Sequence, residues 1–363
     1  MRQVRGVRGV RGVRQMRSRL LRLVIVATAA IAAVAPWPPQ LVERYFARGF
    51  YPRLQGTLTS WSNQTGVALF DFVVLTIVVV AVVAVAHAVR GAVRRRSLWP
   101  LVGGLGTLLS LTALVYLWFL VAWGLNYSRP ALEASIGYDA SRVTPAALRE
   151  LAERATGEVN RLYAPGHSAG FPEAFAVPPA LVQAMHEVER RLGLATAITP
   201  SRPKRTLLGP FFRAAGVDGM HAPFLLETLL NPDLTSPERP AVLAHEWAHL
   251  AGYAPEDDAS FVGLLAALRA DSGAQYSAWL ALFHEVIVLL SRDEQRALLV
   301  RLGPGPQRDR QAIVERQKLR VETISRVSWE TYDRYLKSQG VREGVQSYSR
   351  VVQLVLGTGA LDW

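Results

Sequence analysis

Cysteine is absent from all 363 residues. Disulfides and thiolate metal sites are therefore excluded, and any metal must take nitrogen and oxygen ligands. A cysteine-free chain also fits an exported domain. No phosphate-binding glycine loop, dinucleotide fingerprint or nucleophile elbow appears, which removes the common signals of nucleotide and serine-hydrolase chemistry. Acidic residues are missing from the first 22 positions, which carry eight arginines (Arg2, Arg5, Arg8, Arg11, Arg14, Arg17, Arg19 and Arg22). Four more, Arg90, Arg94, Arg95 and Arg96, fall in what reads as one short loop. The two clusters together equal the whole formal charge of +12. No basic face remains elsewhere for nucleic acid, and the excess reads as a membrane-flank signal.

Apolar sequence is what the chain has in quantity: half its residues are hydrophobic and its mean hydropathy is positive. Three stretches stand out, at about residues 20–36, 67–89 and 98–125. About 20 apolar residues cross a bilayer core, so the last two read as transmembrane helices, with Trp99, Trp123 and Tyr127 suited to the interfacial belt. The first is shorter and follows a basic head, a pattern shared by signal peptides. It is read as an uncleaved anchor because "AVAPWPP" leads to further spans without a good small-x-small cleavage site. The "VRGVRGVRGVR" repeat looks like low-complexity extension. Met16 opens a more ordinary start, so residues 1–15 are expected not to belong to the natural protein. The arginine clusters place the N-terminus and the loop at 90–96 in the cytoplasm, residues 37–66 outside, and everything after about residue 126 on the outer side.

Residues 126–363 read as one mostly helical domain. "TPAALRELAERATGEVNRLYA" (144–164) has a Thr cap and Pro at the first helical position. "PALVQAMHEVERRLGL" (179–194) is a second amphipathic helix. Residues 205–235, rich in Gly, Pro and aromatics, suggest one or two short strands. Ser291 and Glu294 form a capping box. "YSAWLALFHEVIVLL" (276–290) is too short for a span and contains His284 and Glu285, so it reads as a buried core helix.

The chemistry lies in "AVLAHEWAHLAGYAPEDDASFVG" (241–263). Pro237 and Pro240 mark a helix start and Gly252 its end. His245 and His249 then share one face, a turn apart, so both imidazoles can reach one ion. Glu246 sits where it can take a proton from water beside that ion. A third ligand must be an oxygen donor, and Glu256, Asp257 and Asp258 are the ones nearby. Glu256 follows Pro255, which can begin a new helix, and its longer side chain favours it over Asp258. The bland alternative is a solvated polar helix face that binds nothing.

"GMHAPFLLETLLNP", "HEWAHLAGYAPEDDASF", "YSAWL" and "YDRYLKSQGVREGVQSYSRVVQLVLG", with the three-span preamble, resemble a bacterial membrane family known as domain-of-unknown-function family 3810. The motif is also similar to the zincin metallopeptidases that use two histidines and a glutamate. That likeness implies His245, His249 and Glu256 as zinc ligands and Glu246 as general base. The family usually has Glu-Ala-Asn where this chain has Asp258-Ala259-Ser260, which touches the third ligand and the supporting partner expected near position 260. The likeness also implies an edge strand for substrate, for which "GMHAPFLLE" (219–227) is the candidate. A further donor should stabilise the tetrahedral oxyanion: Tyr276 is named as catalytic beside Glu246, with His221 and His284 as alternatives. His87, His167 and His186 carry no such expectation.

The expectation is thus a mostly α fold. Residues 1–125 would form a membrane anchor of three transmembrane helices, and residues 126–363 a zincin-like, mainly helical domain with a small β element. It would be a multi-pass protein of the bacterial inner membrane, N-terminus cytoplasmic and C-terminal domain extracytoplasmic. Its partners would be the lipid bilayer and a peptide or protein substrate, with no nucleic acid. The expected activity is zinc-dependent peptide hydrolysis, the alternative a metal-stabilised binding or assembly module without turnover.

Overall fold

Helix-compatible spacing governs nearly the whole chain, and the computed structural model is mostly helical with one three-stranded sheet. It describes residues 3–194, 196–338 and 350–362. Met1, Arg2 and the "QGVREGVQSYS" part of the family-like stretch are among the residues outside this description. The chain divides into two units.

The first unit comprises Met1–Trp37 and Leu69–Ala122. Its helices are Gln3–Val34, Leu69–Arg95 and Trp99–Ala122, and the last packs against both others. Leu69–Arg95 and Trp99–Ala122 are each long and apolar enough to cross a membrane. The stretch from Met16 to Val34 meets that test only together with the following helix, so the three expected spans become two, or up to three. The arginine loop is also corrected. Arg90, Arg94 and Arg95 lie in the last turns of Leu69–Arg95, and only Arg96 enters the turn, with φ 46°. Arginine is a good helix former, and cations are favoured at a helix C-terminus, so the apolar helix runs on past its apolar residues.

The second unit comprises Pro38–Ala68 and Trp123–Trp363. Residues 38–68, which the sequence assigned to the anchor, therefore fold with the polar domain. They form a π-helical segment Val42–Phe50 that runs into the helix Tyr51–Ser62. Their attachment is through polar groups the sequence could not pair in advance. Thr59 donates to the Leu226 carbonyl at 3.0 Å, and Gln55 donates to the Thr199 carbonyl at 2.8 Å. Lys204, fully buried, donates to the Ser62 carbonyl and pairs with buried Glu227 at 2.8 Å. Losing either partner would strand a buried charge, at about 3–5 kcal/mol.

The sheet has the order β1-β3-β2, with β1 Pro203–Lys204, β2 Gly219–Ala222 and β3 Glu227–Leu230. β1 is parallel to β3; β2 is antiparallel to it, with Gly219 opposite Leu230 and His221 opposite Thr228. The stretch 219–227 is thus a strand, a turn and the start of the next strand. Pro223, which has no N–H for a ladder, ends β2, and Leu226 takes φ 54° before β3. A short helix, Gly209–Ala215, precedes β2 where only strands were expected.

Helices build the rest. Thr144 caps Pro145–Ala169 by accepting from the Ala147 N–H, and Ser291 with Glu294 forms the expected capping box. Ser272–Ile287 has most of its residues buried inside this unit, in keeping with a core helix. Every element that shapes the candidate site belongs to this second unit.

Candidate metal centre

The motif helix runs Arg239–Leu250. Its apolar face is buried through Leu243, Ala244, Trp247, Ala248 and Leu250. Trp247 also donates its indole N–H to the Ser201 carbonyl at 2.9 Å. Truncating such a tryptophan costs about 3–5 kcal/mol, so packing alone holds this helix firmly.

The C-terminal carbonyls of a helix need outside partners. Here they come from distant side chains: Trp123 Nε1 donates to His249 O at 2.9 Å, and the Tyr51 hydroxyl to Leu250 O at 2.7 Å. Arg129 donates to Gly252 O at 2.9 Å and is itself held by Glu43 at 2.7 Å. The end of the helix that carries His249 is therefore fixed from three sides.

Pro255 then opens the helix Glu256–Arg269, which crosses the motif helix closely. Gly263 allows that approach: a Cβ there would lie 2.7 Å from the His245 backbone nitrogen. A larger residue would push the helices apart and withdraw Glu256 from the histidines.

His245, His249 and Glu256 form a group able to hold a metal ion, with one ligand atom from each within 4.8 Å of the others. Glu256 Oε2 lies 3.2 Å from His245 Nε2 and 3.4 Å from His249 Nε2. The far nitrogens are committed elsewhere. In the tautomers that free both Nε2 atoms, His249 Nδ1 donates to the Tyr253 carbonyl at 2.8 Å, and His245 Nδ1 to Ser260 Oγ at 3.2 Å. This orients both rings toward the group and makes them better ligands. Ser260 thus lies beside His245, at the position where a supporting partner was expected. The donor set of two imidazoles and one carboxylate, with no thiolate, fits zinc.

Asp258 has no place in this group. Its surroundings are Asp257, Arg129, Glu133 and Arg350, and burial, with the nearby Asp257 charge, pushes its carboxyl up to about 8. Of the three oxygen donors, Glu256 alone joins the imidazoles.

Glu246 is buried next to the group. The backbone N–H of His221 on β2 lowers the pKa of the Glu246 carboxylate, which fills the space left by the missing side chain of Gly219. A Cβ at residue 219 would lie 2.5 Å from Glu246 Oε1. Burial raises its pKa above the ordinary carboxylate range, against the lowering pull of His245 and His249. Burial likewise pushes Glu256 up, but the histidines more than offset it and hold its carboxyl well below the usual range. Burial opposes the charge on His249 too, yet Glu256 and Glu246 raise that imidazole to about 9. Desolvating a carboxylate costs several kcal/mol, while exposed ion pairs return about 0–1. Two buried carboxylates beside two imidazoles are therefore not an arrangement that stability alone would select.

Tyr276 does not belong to this centre and is corrected. Its ring is fully buried, and its hydroxyl donates to Asp309 Oδ2 at 2.6 Å. Its ring neighbours are Tyr163, His167 and Phe171. His284 is half-buried on the helix Ser272–Ile287, its pKa lowered to about 4 by burial and by Arg310. His221 is different. It lies on β2 with its ring 6.5 Å from His249 and 5.2 Å from Trp123, and neither buried ring nitrogen has a hydrogen-bond partner among the described residues.

Among the contributors given no role from the sequence are Tyr332, quoted only within a family-like stretch, whose hydroxyl donates to Glu256 Oε1, and Trp123, read only as an interfacial residue. Tyr332 is 76 positions from its partner, and no local pattern announces such a pairing.

Among known proteins, the model of the family described as "Protein of unknown function (DUF3810)" matches residues 46–356. No curated protein and no solved structure matches the chain.

Proposed function

We propose, from the premise that the chain belongs to the DUF3810 family, that it is a membrane-anchored, zinc-dependent peptidase of the zincin type. The observation that carries this reading is the convergence of His245, His249 and Glu256 with buried Glu246 alongside. A bound divalent cation supplies Lewis acidity, lowering the pKa of water and polarising a carbonyl. The rest is work for the chain's own residues. Glu246, buried in the gap at Gly219, takes a proton from the attacking water and returns it to the leaving amine. Its raised pKa suits that exchange, because the carboxylate is basic enough to receive the proton and still able to release it.

β2 is an edge strand that lies against the motif helix, which supports its use as a template for an extended peptide. His221, on that strand, is the best-supported donor for the developing oxyanion. Burial and His249 push its pKa well below the ordinary value, so it is a neutral imidazole with one N–H to offer. The arginines at the end of Leu69–Arg95 support a cytoplasmic loop there and an extracytoplasmic site. Trp123, which donates to the His249 carbonyl, follows the Trp99–Ala122 helix directly in the chain. Substrates are accordingly extracytoplasmic peptides or proteins.

The test is hydrolysis of a peptide library by the purified full-length chain loaded with zinc, beside Glu246→Gln. Cleavage by the wild type, reduced about 10²–10⁴-fold in a variant that keeps its zinc, is expected. Equal cleavage by both would refute the role of Glu246. Stoichiometric zinc with no cleavage of any peptide would favour the binding or assembly module.

A further inference from the structure

The two oxygens of Glu256 face different partners. Oε2 meets the Nε2 atoms of His245 and His249, at 3.2 Å and 3.4 Å. Oε1 accepts the hydroxyl of Tyr332, from the helix Glu322–Ser338. A carboxylate left with both oxygens free can grip a cation through either or both. We propose that Tyr332 is a positioning residue for the metal centre: by occupying Oε1, it makes Glu256 a single-oxygen ligand and keeps room beside the ion for solvent and substrate.

Tyr332 is well placed to hold that setting, because its ring is one link in a series of aromatic contacts. Tyr335 stacks on it at 6.0 Å and 22°, and Trp329 meets it edge-on at 6.1 Å. Tyr335 meets Tyr127 edge-on at 5.9 Å, and Tyr127 meets Trp123 at 5.3 Å. Trp123 closes the series by donating to the His249 carbonyl. The phenol that orients one ligand is thus linked by ring contacts to the indole that fixes another. Such ring contacts hold a hydroxyl in place without a covalent tie.

This inference rests on the metal-centre reading above, and the experiment separates the two. Zn²⁺ affinity is measured by competition with a chelator, and Co²⁺ is substituted to read coordination from its visible absorption. The full-length chain is used as wild type, Tyr332→Phe and Tyr335→Phe. Tyr332→Phe is expected to weaken Zn²⁺ binding about 10–100-fold, the usual effect of removing a partner from a ligand. It should also lower the cobalt band intensity as Oε1 becomes available to the ion. Tyr335→Phe keeps the ring stack and leaves the Tyr332 hydroxyl on Glu256, and should leave the cobalt spectrum as in the wild type. Identical affinity and spectrum in Tyr332→Phe and wild type would overturn the proposal while leaving the metal centre intact. The same spectral change in both variants would also overturn it, because the effect would then be general loosening. A wild-type chain that binds neither ion would sink both readings.

Discussion

Two clusters in the second unit are built from the same parts, a carboxylate that meets a histidine Nε2 and accepts a tyrosine hydroxyl. One is Glu256 with His245, His249 and Tyr332; the other is Asp309 with His167 at 2.7 Å and Tyr276 at 2.6 Å. In the first, two imidazoles converge on one oxygen, and each far nitrogen has its own partner at Tyr253 or Ser260. In the second, a single imidazole, about one-third exposed, lies among aromatic rings. That cluster ties the helix Pro304–Gln317 to Pro145–Ala169 and Ser272–Ile287. Residue type does not separate a ligand set from a structural strut. The number of convergent nitrogens, and what holds their far sides, does.

The strongest way to break this distinction is to remove one imidazole from each cluster. His249→Ala is expected to abolish stoichiometric zinc and all hydrolysis, while His167→Ala keeps both. Elemental analysis of the two purified variants checks this, and equal zinc loss in both would erase the contrast.

A smaller effect is expected at the strand beside Glu246. Gly219→Ala places a methyl group against Glu246 Oε1 and must shift that carboxylate. Zinc should remain, with kcat lower by about 10²-fold, since displacements near 1 Å have that effect. Steady-state kinetics with metal analysis would show it, and an unchanged kcat would argue against Glu246 as the base.

Smaller again is the effect of pH on the first cluster once metal is stripped. His249, raised to about 9, contributes stability that is complete below its ordinary 6.5 and lost as pH rises through about 9. Glu256, held well below 4.5, contributes stability that is complete above 4.5 and lost as pH falls through its depressed value. The metal-free pair therefore stabilises most between 4.5 and 6.5. Zinc, which replaces protons on its ligands, should move the gain to higher pH. Melting of chelator-treated chain across this range, with and without Zn²⁺, tests it; a chelated Tm that does not decline toward pH 9 would contradict it.

The smallest effect is expected at Tyr276. Tyr276→Phe removes a hydrogen bond to a carboxylate, worth about 1.5–3 kcal/mol of stability, and should leave zinc and kcat unchanged. A loss of kcat with unchanged Tm would return Tyr276 to the catalytic machinery.

What the sequence made legible follows from distance along the chain. His245, Glu246 and His249 share one helix, and Glu256 follows after a single turn, so helical periodicity and Pro255 were enough to bring them together. Ser260, one turn further on, was pointed to only by the family likeness. Tyr332, Trp123 and Tyr51 reach the motif from 76, 126 and 199 positions away, and no periodicity encodes such meetings. Tyr276 was misplaced because a tyrosine on a nearby helix can face either way, and only packing against Gly166 and Asp309 decides. Residues 38–68 were given to the anchor because they lie between apolar stretches. Their buried Gln55, Thr59 and Ser62 show that their partners are the loops and strands of the site unit.

The most direct test is anomalous diffraction at the zinc edge from crystals of the zinc-loaded full-length chain. The account predicts a peak bounded by Nε2 of His245, Nε2 of His249 and Oε2 of Glu256. No peak there, or a peak beside His167 and Asp309 instead, would contradict it.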